Sequence, residues 1–396
     1  MKIDRIRAFV AKIPYHDRFG GQTKSPPTFS GSDYYFEDDW REVYATRSQT
    51  VLVRIDTDEG LYGWGESQAP IVPEAAFSVI EELLGPMLLG ADPREVERLW
   101  DKMYRSMNGR GHFTGFMVDA ISGLDIALWD IKAKAAGEPL VRLLGGPFRD
   151  RLPAYLSGIR APSDEARAEI AAKHLADGYA AVKLYMGHGI EADLAQATAV
   201  RKRVGPGARL MADVFWVYSL EAALRLGRAL QSLGVEWIEA PLQPEDIAGH
   251  AALAQELDMN VAIGEPLRTR YQFAEWLRRD ALDIAQPDLA RCGITEGRRI
   301  VDLAAAYHRP VALHLGVCLG VGMVATWHMA AALPGFYIQE HQPPMLELSN
   351  RFLTTPLRME RDGLVVPMVP GHGADVDLAG LAAYTTREAD IAASRM

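Results

Sequence analysis

From about residue 152 onward, short runs of apolar residues alternate with longer stretches in which apolar positions recur every three and four residues. The first pattern suits a buried strand and the second an amphipathic helix, so the chain reads as repeated βα units on a parallel sheet. The strand-like runs are LPAYLSGI (152–159), AVKLY (181–185), RLMADV (209–214), VEWIEAP (235–241), NVAIGEP (260–266), LDIAQPD (282–288), PVALHL (310–315) and GFYIQEH (335–341). Helical spacing marks segments between them, such as SLEAALRLGRALQSLG and GITEGRRIVDLAAAYH. Eight right-handed units predict closure into a barrel whose active site lies at the C-terminal ends of the strands. A doubly wound nucleotide-binding sheet is disfavoured, because no GxGxxG follows a first strand and no GxxxxGK[ST] occurs.

Residues 1–120 follow another rhythm. SQTVLVRIDTDEGLYGWGES predicts two strands around an Asp-Glu-Gly turn, and EAAFSVIEELLGPMLLG and DPREVERLWDKMYRSM predict helices. This is a small α+β unit. FMVDAISGLDIALWDIKAKAAGEPLVRLLGG reads as one long amphipathic helix entering the barrel, stopped by Gly145-Gly146. Near the end, PLRMERDGLVVPMVPGHG predicts a hairpin, after which the chain is expected to return to the N-terminal unit. The resulting division is 1–125, 126–345 and 346–396.

Polar residues interrupt the strand-like runs at one repeating place. Asp213, Glu239 and Glu265 close three successive runs at intervals of 26 residues, and Asp288, His314 and Glu340 close the next three at the same interval. A charge at the end of a buried strand is costly, so a recurring one suggests a shared partner, most simply a metal cation. Three carboxylates with no His or Cys beside them suit a hard ion, and Mg²⁺ would keep positions open for water and substrate. Capping of the following helix is the other use of an acidic residue at a strand end. Asp288 can orient the imidazole of His314 and raise its basicity, making His314 a candidate general base. Glu340 would face charge building on a substrate and could donate a hydrogen bond if its pKa is raised.

Lys183 and Tyr185 lie two apart on one run and share a face, inward if Leu184 points outward. An inward lysine can hold an anionic substrate, act as a base with lowered pKa, or pair with a neighbouring carboxylate. In the N-terminal region, His16, Arg18 and Lys24, with Tyr34, Tyr35 and Phe36, are candidates for contacting substrate from loops over the barrel mouth.

Composition narrows the function further. The 396 residues are 48% hydrophobic and 24% charged, the balance of a folded globular protein. A net charge of −10 without a long basic stretch argues against a nucleic-acid partner. No run reaches the length of a membrane span and the start lacks a secretory signal, so a cytoplasmic protein without a membrane partner is expected. Cys292 and Cys318 read as packed thiols rather than a disulfide framework.

Together, AVKLY, the trio Asp213, Glu239 and Glu265, QPDLARCGIT, and the stretch from His314 to Glu340 resemble the mandelate racemase branch of the enolase superfamily. SGLDIALWDIKAKAAGEPLVRLLGG is similar to that branch's signature helix, and the likeness covers nearly the whole chain. The resemblance implies an α+β capping domain over a modified (β/α)8 TIM barrel, an essential Mg²⁺, and abstraction of a proton α to a carboxylate to give an enediolate. It also favours a symmetric homo-oligomer. Racemases of the branch carry Lys-x-Lys where this chain has Lys183 and Tyr185. With one strong base, His314, the chain is suited to β-elimination of water from an aldonate or aldarate, giving a 2-keto-3-deoxy acid. Lys183 would then hold the carboxylate, and Tyr185 would bind hydroxyls or relay a proton. Lactone cycloisomerisation also needs a single base, whereas racemisation or epimerisation needs two. A binding protein that kept the scaffold but lost its chemistry fits poorly with an intact acidic trio.

Overall fold

The computed structural model describes residues 1–14, 28–36 and 40–392. His16, Arg18 and Lys24 lie outside the described residues.

Strands β1 (Ile3–Pro14), β2 (Arg47–Thr57) and β3 (Tyr62–Ser67) form an antiparallel sheet. The turn between β2 and β3 is the expected Asp58-Glu59-Gly60, with Gly60 at φ +84, a conformation that glycine adopts without a Cβ penalty. Helix α1 (Phe116–Ala136) lies directly on β3 because that strand reads YGWGES, with both glycines on one face. A Cβ on Gly65 would sit 1.8 Å from the Gly123 carbonyl oxygen, and one on Gly63 would sit 2.3 Å from that of Ala127. Backbone lies on backbone, and neither side can yield as a flexible side chain would. Gly65→Ala should therefore destabilise the protein by about 3 kcal/mol or more in chemical denaturation. A loss below about 1 kcal/mol would show that the helix and strand can separate freely.

The expectation of one long amphipathic helix is corrected in two respects. α1 is buried on nearly all sides, because the capping sheet covers one face and a barrel helix, α2 (Leu289–Ala306), covers another. It also ends earlier, at Gly137 with φ +69, and a short separate helix, Leu140–Leu143, precedes the Gly145-Gly146 pair.

The barrel strands are β4 (Ala154–Leu156), β5 (Ala181–Tyr185), β6 (Arg209–Asp213), β7 (Val235–Glu239), β8 (Asn260–Ile263), β9 (Ile284–Ala285) and β10 (Gln339–His341). They form a parallel sheet in the spatial order β9-β8-β7-β6-β5-β4-β10. The gap between β9 and β10 is closed by the PVALH run, which makes single bridges, Ala285 to Val311 and Val311 to Phe336, rather than a regular strand. All eight predicted runs therefore take part in one curled sheet, the architecture of a modified (β/α)8 barrel.

Side-chain alternation then fixes the interior. One buried residue from each run, Tyr155, Ala181, Met211, Trp237, Ala262, Ile284, Ala312 and Ile338, forms an apolar plug. Two residues later on each run come Ser157, Lys183, Asp213, Glu239, Gly264, Gln286, His314 and Glu340. A period of two thus places the polar ring one layer above the plug, toward the C-terminal ends of the strands. After the barrel, Met359–Glu360 and Gly363–Val365 form the expected hairpin, which also pairs with Arg151–Leu152. The chain then returns to the cap, where β11 (Thr385–Ala392) pairs antiparallel with β1, Ile391 opposite Ile6. No helix among the described residues is long and apolar enough to cross a membrane.

Candidate active site

Lys183 is 1% exposed and points into the ring from β5. Its Nζ lies 2.7 Å from Glu239 Oε1, 3.1 Å from Glu340 Oε1 and 3.4 Å from Asp213 Oδ2. Burial alone would lower the lysine pKa, but Glu239, Glu340, Tyr155 and Asp213 outweigh it and hold it well above its ordinary value. The lowered pKa considered from sequence is thus reversed, and Lys183 is a buried counter-ion. Glu340 is corrected in the same way. Burial pushes its carboxyl up, yet Lys183, His314 and the Leu315 N–H, which donates at 2.9 Å, bring it below the usual range, so it is not a protonated donor.

Asp213, Glu239 and Glu265 are engaged by protein donors. Glu239 accepts from Lys183, from the Gln286 amide at 2.9 Å and from the Trp237 indole at 3.2 Å. Glu265 accepts from the Trp216 indole at 2.8 Å and lies 3.3 Å from His314 Nε2. Burial would raise the Glu265 carboxyl, but the bonds from His314 and Trp216 and the nearby Arg291 bring it down to about 2. Asp213 moves oppositely, pushed well up by burial and by Glu239, with Glu265 adding to the repulsion that Lys183 only partly offsets. Among the described residues no three such side chains are drawn together closely enough to enclose an ion. The trio nevertheless fits a hard cation by donor type and charge. All three offer carboxylate oxygens, and one lysine is shared among Asp213, Glu239 and Glu340, leaving excess negative charge that a divalent ion would relieve.

The local backbone turns sharply after Asp213 and Glu239. Phe215, Trp216 and Ala240 all have positive φ, 50, 60 and 51°. The first two bring Phe215 against the Trp40 ring, centroids 3.8 Å apart, and aim the Trp216 indole at Glu265.

His314 stands across the ring from Lys183. Its Nδ1 is 2.7 Å from Asp288 Oδ2, so Nδ1–H donates and Nε2 is directed to the cavity side, toward Glu265 and Glu340. Burial disfavours the imidazolium, but Glu340 and the bonds to Asp288 and Glu265 raise the His314 pKa well above its usual value. Asp288 lies beyond the end of β9, as the N-cap of α2, where it also accepts from the Ala290 N–H at 2.9 Å. The capping use of an acidic residue therefore holds for Asp288 alongside its contact with His314.

Tyr185 opens onto the cavity above Lys183. Its hydroxyl is 3.2 Å from Ser157 Oγ and accepts from the Gln342 amide at 3.4 Å, and its ring packs edge-on against Phe215. Burial pushes the phenol pKa up. It is a neutral hydroxyl held in place.

These groups line a cavity of about 200 Å³ that also includes Trp40, Gln68, Arg160 and Arg291. None of those four was singled out from sequence. Gln68 and Trp40 come from the cap, and Arg160 lies beyond a strand end, where no period marks a residue as inward. Arg291 sits in the first turn of α2, three residues after Asp288, a spacing that returns a helical side chain to the same side.

Comparison with known proteins agrees with this architecture. The family model for the enolase C-terminal domain-like fold matches residues 165–380, and that for the mandelate racemase / muconate lactonizing enzyme N-terminal domain matches 42–145. The chain is 34% identical to the D-galactarolactone cycloisomerase of Agrobacterium fabrum, over 85% of this chain and 92% of that one. It is also 34% identical to the arabinonate dehydratase of Saccharolobus solfataricus, over 82% and 87%. The solved L-talarate dehydratase from Polaromonas sp. JS666, complexed with Mg and L-glucarate, superposes with a TM-score of 0.83 at 28% identity, covering 99% of each chain. With both family models matched, and a capping sheet and curled parallel sheet to carry them, the chain belongs to the mandelate racemase branch of the enolase superfamily.

Proposed function

We propose that the protein is a Mg²⁺-dependent dehydratase of an acid sugar, an aldonate or aldarate. The observation that carries this reading is that the polar ring holds one imidazole, with its Nε2 directed to the cavity side. His314 is oriented by Asp288 at 2.7 Å, while Lys183 is committed to three carboxylates and Tyr185 replaces a second lysine. Racemisation needs bases on both faces of the α carbon, whereas β-elimination can use one.

In the proposed reaction His314 Nε2 takes the proton from the carbon α to the substrate carboxylate, and the released electron pair moves onto that carboxylate as an enediolate. The pair then returns to form the C2–C3 double bond as the C3–O bond breaks. The imidazolium gives its proton to the departing hydroxyl, which leaves as water, and the resulting enol becomes a 2-keto-3-deoxy acid. Asp213, Glu239 and Glu265 would hold Mg²⁺, whose charge makes the α proton more acidic. Glu340 and Asp288 keep the imidazolium stabilised between the two proton transfers. Tyr185 and Arg291 border the space above and would bind hydroxyl and anionic groups of the substrate. The barrel, 126–345, would carry the chemistry. Residues 1–125, with 346–396 returned against them, would shape selection.

A second reading, lactone cycloisomerisation, is favoured by the equal likeness to the D-galactarolactone cycloisomerase. Incubation with a panel of aldonic acids, aldaric acids and their lactones in Mg²⁺ separates the two. A 2-keto-3-deoxy acid from a free acid is the expected product. Consumption of a lactone alone, without loss of water, would instead establish the second reading.

A further inference from the structure

The capping sheet does more than roof the cavity. Glu66 and Gln68, two apart at the end of β3, both reach the barrel. Glu66 accepts from the N–H groups of Leu319 and Gly322, fixing the start of the helix Gly320–Ala332 that follows His314. Gln68 engages the neighbouring connection, its backbone N–H donating to the Ala290 carbonyl at 2.9 Å. Its side-chain amide faces Asp288. An amide oxygen there would set acceptor against acceptor, so the nitrogen takes that place, 2.8 Å from Asp288 Oδ2 and 3.2 Å from Oδ1.

We infer that Gln68 is a positioning residue for His314, so that the cap completes the catalytic base through the contact of Gln68 with Asp288. The inference rests on the reading of His314 as the base. Among the described residues the Asp288 carboxylate receives three donors, the Ala290 N–H, the His314 Nδ1–H and the Gln68 amide, from three separate segments. Only the Gln68 donor crosses from the cap. Removing it leaves the Ala290 N–H on Oδ1 and His314 on Oδ2 but takes away the donor that spans both oxygens, so the carboxylate, and the imidazole bonded to it, is held less firmly. The packing is tight enough for such a loosening to matter. A Cβ added to Gly316 would lie 2.6 Å from the Gln68 amide and 3.0 Å from His314 Cε1, so the bare glycine makes the room in which both side chains sit.

The test is Gln68→Leu in the full-length protein, with Gln68→Glu as a second variant that keeps the shape but removes the paired amide donor, should leucine prevent folding. In the substrate-free protein, the downfield Nδ1–H proton resonance of His314, identified by its loss in His314→Asn, should shift or broaden in the variant. With the acid sugar that turns over in the panel, kcat should fall about 10- to 100-fold while KM stays within about twofold. An unchanged resonance overturns the inference, as does a raised KM at parental kcat, which would make Gln68 a substrate contact. The resonance needs no substrate. Retention of α-proton exchange by His314→Asn would therefore refute the reading of His314 as the base separately.

Discussion

His314→Asn is expected to lower kcat by about 10⁴-fold, the upper end for loss of a general base, and to abolish exchange of the substrate α proton in D₂O. Asparagine can still donate an N–H to Asp288, so the fold should persist. Loss of both reactions follows because, in the proposed mechanism, proton abstraction and hydroxyl protonation use the same Nε2. A variant that loses turnover but keeps exchange would mean that a different group removes the proton. Lys183 is poorly placed for that task, since each of its close partners favours its charged form.

Lys183→Met is expected to have the largest effect on stability. Methionine matches the length of the stem but removes the cation, leaving Asp213, Glu239 and Glu340 buried against one another. Deleting one partner of a buried ion pair typically costs about 3–5 kcal/mol. Chemical denaturation in EDTA should show a loss of that order at neutral pH. Asp213 and Glu239 are already pushed up by burial, and without Lys183 they rise further. An acid whose folded pKa exceeds its unfolded value of about 4 costs nothing below that pH, and stability is lost as pH rises through the folded value. The deficit of the variant should therefore be smallest near pH 4 and grow as pH rises. Added Mg²⁺ should stabilise the variant more than the parent. A Lys183→Met protein within about 1 kcal/mol of the parent in EDTA at pH 8 would show that the three carboxylates do not depend on the lysine.

The barrel was legible because strand geometry is strict. A period of two forces Lys183, Asp213, Glu239, His314 and Glu340 into one layer once the apolar residues two positions earlier fill the plug. Glu265 and Asp288 fell outside that rule, lying past the ends of β8 and β9, yet they were found because the 26-residue spacing of the units carried them along. The direction of the charges was less accessible. That Lys183 is shared among three carboxylates, and that Glu340 stays ionised, depends on which partners lie within reach across the ring. Strand order gives neighbours, not distances. Gln68, Trp40 and Arg160 were missed for another reason, since the path of a loop is set by what it packs on rather than by any period.

The pairing of β11 with β1 has a consequence for biosynthesis. β1, β2 and β3 leave the ribosome before the barrel does, but the strand that pairs with β1 on its other side is made only after it. The barrel is thus an excursion between two parts of one sheet, and its strands are synthesised while the cap still has an open edge along β1. A nascent chain stalled before Thr385 would hold every residue of the polar ring, yet display an unpaired strand edge able to recruit another chain.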